Sequence, residues 1–188
     1  MIKKVIISVR FRINKLFFVL KSLWCRDILR KPYYIEISGS QLIANFLFQR
    51  ILGFNNKVPL SVSYTSRIQG FKNIILPENA DSIKVSMAVS GGCYISVFDG
   101  APLTIGENTL WAFNICIQTG NHDLYDRNKI NIAPVKIGKN CWLGNSVTIL
   151  PGVELGDNVT VGANAVVTKS FPSNVVIGGC PAKILKEL

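Results

Sequence analysis

The clearest pattern in the chain is a repeat of six residues that runs from Ile137 to Thr168. The first residue of every block is aliphatic, the second is glycine in four of the five full blocks, and the fifth is small or aliphatic. Helices repeat near 3.6 residues and strands near 2, so a period of six fits neither. The period predicts a chain that turns every six residues and directs aliphatic side chains inward. We therefore expect an all-β fold, a parallel β-helix built from hexapeptide repeats.

The same period occurs earlier, over residues 105–118, and is then interrupted. The stretch from Thr119 to Pro134 is polar and does not hold the repeat, which resumes at Val135. An inserted loop costs a β-helix little, because the neighbouring coils still stack around it. We therefore expect a loop at about residues 119–134 that protrudes from the coils, and we expect the chemistry of the protein to lie there.

The remaining segments are less regular. Apolar residues at helical spacing predict an amphipathic helix over residues 13–29 and a second short helix that ends at Gly53. Beyond residue 58 the pattern indicates short strands at 60–64, 74–76 and 83–87, with no further helix. Residues 175–177 read as a strand and residues 184–188 as a short helical turn. This divides the chain into a basic, partly helical segment, 1–57, and a coil domain, 58–188.

Net charge is concentrated at one end of the chain. Residues 1–31 contain nine Lys or Arg and one Asp, a net charge of +8, which leaves +2 of the formal +10 for the rest. A basic amphipathic helix can lie on an anionic membrane surface. Alternatively, its apolar stripe packs on the coil domain or on a neighbouring subunit, and both readings stay open. No nucleic-acid-binding motif accompanies the charge, so we do not expect nucleic acid as a partner.

The cysteines and the N-terminal residues indicate in which cellular compartment the protein is expected. The five cysteines form no C-x-x-C pair and no zinc spacing, and Cys141 falls on an inward coil position, so reduced thiols are expected. The apolar run Leu16–Leu20 is far shorter than the roughly 20 residues that span a bilayer, and no small-residue cleavage site follows it. We expect a cytoplasmic protein, with peripheral contact at the inner face of the membrane as one option.

His122 is the only histidine in the chain, and it lies in the polar insertion. An imidazole titrates near neutral pH, so it can take the proton of a hydroxyl while that hydroxyl attacks. Asp123, Asp99 or a backbone carbonyl are the candidates to orient the ring. No serine-type nucleophile motif accompanies the histidine, so we expect it to activate the acceptor directly, without a covalent enzyme intermediate.

Several blocks together resemble the hexapeptide-repeat acyltransferases, most closely the galactoside- and maltose-type O-acetyltransferases and the capsule and O-antigen acetyltransferases. The resemblance covers about residues 60–188. It is carried by Thr119–Asp123, Val135–Gly144, Ile149–Val153, Val161–Ala163, Val166–Lys169 and Gly179–Lys183. A left-handed coil is implied by this resemblance alone, since the repeat itself does not encode the hand.

The resemblance implies a homotrimer with a site between neighbouring β-helices and His122 as the base. Acetyl-CoA is then expected along the coil edge, in contact with the residues that match the family's binding positions: Asn145, Ala163, Thr168, Lys169, Lys183 and Lys186. Lysines suit the phosphates of CoA, and Gly144 with Ala163 would let the pantetheine arm approach the backbone. Trp142 either borders the site or packs at the coil edge. A family asparagine falls near Gly92 here, so the acceptor side is not implied.

These observations together predict an acetyl-CoA-dependent O-acetyltransferase. The expected acceptor is a sugar hydroxyl of a cell-surface polysaccharide or of its lipid-linked precursor, because a basic helix at the membrane would bring the protein close to such lipids. A soluble acetyltransferase of serine or another small metabolite, and a non-catalytic β-helix scaffold, are the alternatives. A zinc enzyme is disfavoured, because such sites generally use three nitrogen ligands and the chain has one histidine.

Overall fold

Three sheets of short strands make up most of the molecule. The computed structural model describes Tyr34 and residues 37–188. Sheet A contains β1 (Arg67–Gln69), β3 (Tyr94–Ser96), β6 (Cys116–Gln118), β11 (Thr148–Ile149) and β14 (Val166–Val167). Sheet B contains β2 (Ile74–Ile75), β4 (Leu103–Ile105), β9 (Val135–Ile137) and β12 (Glu154–Leu155). Sheet C contains β5 (Leu110–Trp111), β10 (Trp142–Leu143), β13 (Thr160–Val161), β15 (Val175–Gly178) and β16 (Lys183–Glu187).

The order of these strands along the chain makes a β-helix. From β4 onward each coil crosses sheet B, then sheet C, then sheet A, and successive strands of one sheet pair in parallel. The predicted parallel β-helix is therefore confirmed. Only β16 departs from the parallel pattern within the three sheets, since it pairs antiparallel with β15.

The aliphatic positions of the repeat form the core. First-position side chains such as Leu143, Ile149 and Leu155 are completely buried, and fifth-position side chains such as Val147 and Cys141 point inward as well. Burial of an aliphatic side chain of this size contributes about 1.5–3 kcal/mol. Because every coil repeats the same inward positions, each strand of two or three residues is stabilised by the coils on either side of it.

A further regularity lies at the fourth position of each block. Every such residue has a left-handed backbone, with φ between +55° and +82°: Asn108, Asn114, Asn140, Ser146, Gly152, Asn158 and Asn164. Asparagine and glycine tolerate this conformation better than other residues do. At the corner between sheets B and C, Asn158 Nδ2 donates at 2.9 Å to Oδ1 of Asn174, which also has a left-handed backbone. The coil turns where it does because of these residues, a signal that the aliphatic pattern alone does not contain.

Glycine at the second position allows the coils to stack closely. A Cβ added to Gly138 would lie 2.4 Å from the carbonyl oxygen of Gly156, and one added to Gly106 would lie 2.5 Å from the carbonyl carbon of Gly138. Real Cβ atoms do not approach backbone atoms so closely. The second position of these coils is therefore fixed as glycine by backbone packing.

Two helices cover the first coils. Helix α1 (Gly39–Phe46) begins at Ser38, whose hydroxyl accepts from the Gln41 amide at 3.3 Å, and continues as a π-helical turn, Leu47–Ile51. This confirms the short helix expected before Gly53. The predicted helix at 13–29 lies outside the described residues, and the boundary at residue 57 stays a prediction. None of the helices that the structure describes has the length and apolar character needed to cross a membrane.

Residues 83–87 belong to helix α2 (Asp81–Val89), so the prediction of a strand there, with no helix, is wrong. Ile83, Ser86 and Met87 lie on one buried face, and the Ser86 hydroxyl lies 3.4 Å from the Trp111 amide of β5. The helix thus takes the place that a sheet C strand would occupy below β5. The strand predicted at 60–64 is also wrong, since residues 60–63 form no regular element and a turn begins at Tyr64, whereas β2 confirms the strand at 74–76.

At each end of the coil stack, a strand is contacted by a neighbouring segment: β1 by Asn55 and β15 by β16. Asn55 lies beside β1, where its side chain donates to the Ser66 carbonyl and accepts from the Ile68 amide, both at 2.9 Å. A short 3₁₀ turn, Phe71–Asn73, links β1 to β2. At the other end β15 confirms the predicted strand, but residues 184–188 belong mostly to β16 and not to a helical turn. Pairing with β15, a non-local contact, decides the conformation of that segment.

Candidate active site

The polar insertion is a β-hairpin that protrudes at the corner between sheets A and B. Its strands β7 (Gly120–His122) and β8 (Ile130–Ile132) pair antiparallel, with His122 opposite Ile130. At the base, the Ala133 amide donates to the Thr119 carbonyl at 3.0 Å. Gly120 packs under Phe98, whose ring would lie 2.8 Å from an added Cβ. The expected protruding loop is therefore present, anchored by backbone pairing and one close glycine contact.

Asp123 organises the hairpin tip. Its Oδ1 accepts from the amides of Tyr125 and Asp126, at 2.9 and 3.1 Å, and its Oδ2 accepts from Asn131 Nδ2 at 2.8 Å. The Tyr125 amide, then Asn131 and the Asp126 amide, hold the pKa of Asp123 below its usual range. This turn leaves Tyr125 projecting into solvent with 97% of its surface exposed. Asp123 therefore acts on the loop rather than on the imidazole.

The imidazole of His122 is fixed by a backbone carbonyl. Its Nδ1 lies 2.7 Å from the Arg127 carbonyl oxygen. A carbonyl can only accept, so Nδ1 carries a proton, and in the neutral imidazole the lone pair is then on Nε2. His122 is exposed, and Nε2 makes no hydrogen bond to the residues that the structure describes. This is the arrangement that a general base needs before its substrate binds.

Asp99 is engaged with the first coil. Its carboxylate accepts from Asn73 Nδ2 at 2.7 Å and pairs with Lys72 Nζ at 3.0 Å. The hydrogen bond from Asn73 and the charge and hydrogen bond of Lys72 lower the pKa of Asp99. Of the three candidates to orient His122, the carbonyl therefore makes the contact, while Asp123 and Asp99 hold other groups.

The residues predicted to contact CoA are distributed over two corners and one face. Thr168 and Lys169 follow β14, at the same A–B corner as the hairpin, whereas Asn145 and Ala163 lie at the corner between sheets C and A. The remaining candidates, Trp142, Lys183 and Lys186, lie on sheet C, and all three are exposed. Within one chain the width of sheet A thus separates His122 from Asn145 and Ala163.

Gly144 has a role in packing that requires no ligand. It is buried, and an added Cβ would lie 2.7 Å from the Ala163 amide nitrogen. The absent side chain is thus explained by stacking of one coil on the next. Ala163 is exposed at its corner, so a ligand could reach it.

The described residues contain no group of three His, Cys, Asp or Glu side chains that could hold a metal ion. The thiols of Cys93, Cys116 and Cys141 are free, and burial raises the pKa of each. A thiol whose pKa is raised is a poor nucleophile at neutral pH. These three buried thiols are therefore not candidates for catalysis, whereas Cys180 is free and exposed.

Comparison with known proteins identifies the family. Residues 134–169 match the family described as bacterial transferase hexapeptide, six repeats. A provisionally named colanic acid biosynthesis acetyltransferase of Escherichia coli K12, WcaF, is 38% identical over 62% of this chain and 67% of its own length. This chain belongs to the hexapeptide-repeat acyltransferases. The resemblance drawn from the motifs is thereby confirmed.

Two further acetyltransferases also match parts of this chain. A galactoside O-acetyltransferase of Escherichia coli K12 is 39% identical over 50% of this chain, which spans about half, 48%, of that relative's length. Among solved structures, a hexapeptide-repeat acetyltransferase of Vibrio cholerae O1 biovar eltor in complex with acetyl coenzyme A is 28% identical. That match covers 65% of this chain and 68% of the other, with a TM-score of 0.50.

Proposed function

We propose that this protein is an acetyl-CoA-dependent O-acetyltransferase that acts on a sugar hydroxyl, with His122 as general base. The observation that carries the proposal is the imidazole whose Nδ1 donates to the Arg127 carbonyl while Nε2 makes no hydrogen bond to the described residues. Family membership and the relatives named above support the acyl transfer.

The proposed reaction is a direct transfer. The sugar hydroxyl gives its proton to Nε2 of His122 as its oxygen attacks the thioester carbonyl. Backbone amides lining the cleft stabilise the negative charge that develops on the carbonyl oxygen. The C–S bond then breaks, and the departing thiolate recovers the proton from the imidazolium, which returns His122 to its starting state. Lys169, Lys183 and Lys186 provide positive charge for the phosphates of CoA.

We further propose a homotrimer of left-handed β-helices, with each site between two copies. The separation of His122 from Asn145 and Ala163 by sheet A supports this, because a neighbouring copy can bring the second corner to the first. The charge on the outer surfaces of the three sheets also supports the trimer. Sheet B carries the exposed Lys136–Glu154 ion pair. The outward residues of β3, β6, β11 and β14 in sheet A and of β5, β10, β13 and β15 in sheet C are uncharged, whereas the charged Arg67, Lys183 and Lys186 lie on the outermost strands β1 and β16. Uncharged faces are the ones that subunits bury.

The proposed acceptor is a cell-surface polysaccharide or its lipid-linked precursor. The support is the name of the 38%-identical relative, which refers to colanic acid biosynthesis, together with the net charge of +8 on residues 1–31. Those residues would hold the protein at an anionic membrane surface, close to lipid-linked sugars.

The central test replaces His122 with alanine. We expect kcat to fall by roughly 10²–10⁴-fold with the KM for acetyl-CoA little changed, since only the base is lost. Release of free thiol from acetyl-CoA, assayed with a panel of sugars and with serine, gives both parameters. Asp126→Asn is the matched control, because this neutral side chain can still accept from the Asn128 amide as Asp126 does at 3.0 Å.

Three results would overturn parts of the proposal. Full activity of the His122→Ala protein would remove the base. Transfer to serine but to no sugar would identify the small-metabolite enzyme. Failure of the wild-type protein to bind or turn over acetyl-CoA would leave a non-catalytic scaffold.

A further inference from the structure

A pocket of about 570 Å³ lies at the first coil, beside β1 at the edge of sheet A. We call it the end pocket; it lies between the turn at residues 55–58 and the stretch 67–72. Its lining includes the cations Lys57, Arg67 and Lys72 and no acidic residue. A concave surface with several positive charges and no negative ones attracts anions.

Arg67 is positioned to bind an anion at its edge. Its Cζ lies 4.2 Å above the centre of the Phe54 ring, so one face of the guanidinium is covered. The guanidinium makes no hydrogen bond or ion pair with the described part of the chain. A stacked guanidinium is held in one plane and presents two parallel N–H groups at its edge, which match two oxygens of a phosphate.

Two neighbours add donors to the same pocket. Gln69 Oε1 accepts from the Tyr94 and Ser96 hydroxyls, at 3.3 and 3.4 Å, so its Nε2 remains available as a donor. Lys57 is exposed and has no ion-pair partner among residues 37–188. The charge of Lys72 is matched by Asp99. Arg67 and Lys57 are therefore the unpaired cations of the lining, and Gln69 adds a neutral donor beside Arg67.

The pocket is larger than a phosphate ion requires, and part of its wall is apolar. Val58, Ile68 and Phe71 contribute to the lining. The guanidinium of Arg50 donates to the carbonyl of Val58, a lining residue, at 3.1 Å. The two residues that follow Arg50, Ile51 and Leu52, are exposed over 65% and 55% of their surfaces. The site therefore suits an anionic group that is attached to an apolar one.

We propose that the end pocket binds a phosphate or diphosphate group, with Arg67 contacting two of its oxygens and Lys57 and Gln69 completing the site. Gln69 of β1, Ser96 of β3 and Gln118 of β6 are in register on adjacent strands. Gln118 lies two residues before the hairpin begins. Two strand spacings place the pocket roughly 10 Å from the hairpin, along the same corner. The binding of a phosphate group does not depend on the proposed function. The further step, that this phosphate belongs to a lipid-linked sugar whose hydroxyl reaches His122, rests on the proposed function.

Titration calorimetry of the full chain with inorganic pyrophosphate tests the pocket. A Lys183→Gln/Lys186→Gln variant is titrated beside it, so that a contribution from the lysines proposed to bind CoA is recognised. We expect one pyrophosphate per chain and an affinity roughly tenfold or more lower in Arg67→Gln, since a charge-assisted pair is lost. Lys57→Gln should lose less, and Lys139→Gln, an exposed cation at another corner, should bind as wild type does. Melting temperatures establish that each variant is folded.

Absence of pyrophosphate binding by the wild-type protein, or unchanged affinity in both pocket variants, would overturn the proposal. Because this readout does not involve acetyl transfer, it succeeds or fails separately from the His122→Ala test. Co-sedimentation with phosphatidic acid vesicles then identifies the source of the phosphate. The Lys57→Gln/Arg67→Gln double variant keeps residues 1–31, so weaker sedimentation than wild type indicates a lipid headgroup. Equal sedimentation, with pyrophosphate binding lost, indicates a soluble phosphate compound.

Discussion

The regular coils and the hairpin that interrupts them are stabilised in different ways. In the coils, completely buried side chains such as Leu155 and Val161 stack on identical positions above and below. The hairpin beyond Gly120 has few buried side chains, and polar contacts centred on Asp123 hold its tip. The β-helix therefore carries the stability of the fold, and the insertion can be specialised for chemistry at little cost to it.

The largest contrast is expected from truncating one leucine in each region. Leu155→Ala should reduce the free energy of unfolding by about 2–5 kcal/mol, because it leaves a cavity inside the coils. Leu124→Ala, at a side chain that is 74% exposed on the hairpin tip, should change it by less than about 0.5 kcal/mol. Urea denaturation measures both. Similar losses would mean that the hairpin belongs to the same cooperative unit.

A smaller difference in stability is expected between alanine substitutions at two glycines that occupy the same position of the repeat. Gly138→Ala should destabilise the protein by about 1–3 kcal/mol, because its Cβ would lie 2.4 Å from the Gly156 carbonyl oxygen. Gly162→Ala should be close to neutral, because the nearest atoms to its Cβ would be the Ile177 carbonyl oxygen at 3.4 Å and the Gly178 Cα at 3.8 Å. Equal melting temperatures for the two variants would contradict the packing that we assign to the coils.

Asp123→Ala should separate activity from stability. We expect kcat to fall by roughly 10- to 100-fold because the tip no longer holds the Arg127 carbonyl against His122. The urea midpoint should remain that of the wild type. Asp123→Asn, which can still accept from the two backbone amides, should restore part of the activity. Loss of stability as large as that of a coil variant would show that the hairpin is part of the core.

The smallest effect is a change with pH that is confined to the hairpin. The pKa of Asp123 is lowered, so its carboxylate stabilises the tip above the ordinary carboxyl range, and this contribution is lost as the pH falls through the lowered value. The amide NMR signals of Tyr125 and Asp126 should therefore shift with a midpoint below about 3.9. The Trp142 amide, bonded to the Val159 carbonyl, should not follow that titration. A midpoint at the ordinary value would contradict the hydrogen bonds at Asp123.

The coils were predictable from sequence because the six-residue spacing of their aliphatic residues indicates which side chains are buried. Cys141 and Ile149 point inward as the period of six predicts. The asparagines at the corners, such as Asn140 and Asn158, were visible in the same blocks, yet the aliphatic positions alone did not reveal them. Their left-handed backbone is what turns the coil.

The irregular ends were harder to predict, since contacts distant in sequence decide their conformation. Ile83, Val85 and Met87 alternate as in a strand, but Ser86 and Met87 share a helical face that packs beneath Trp111. The terminal residues from Lys183 form a strand only because β15 lies beside them.

Sequence indicated the location of the candidate site but not its internal contacts. A single histidine in the only polar interruption pointed to His122. Its partner, the Arg127 carbonyl, depends on the backbone path of the tip, which no residue type encodes. The turn made by Asp123 had a recognisable signal, because an aspartate often accepts from the amides two and three residues later.

The asparagine beside β1 has a consequence for solubility. Exposed strand edges act as templates on which other chains add, and a column of parallel coils has such an edge at its first turn. Asn55 occupies the hydrogen-bonding groups of Ser66 and Ile68 that an incoming strand would need. One side-chain amide thus imitates a missing coil, and it opposes end-to-end growth of these columns into fibrils.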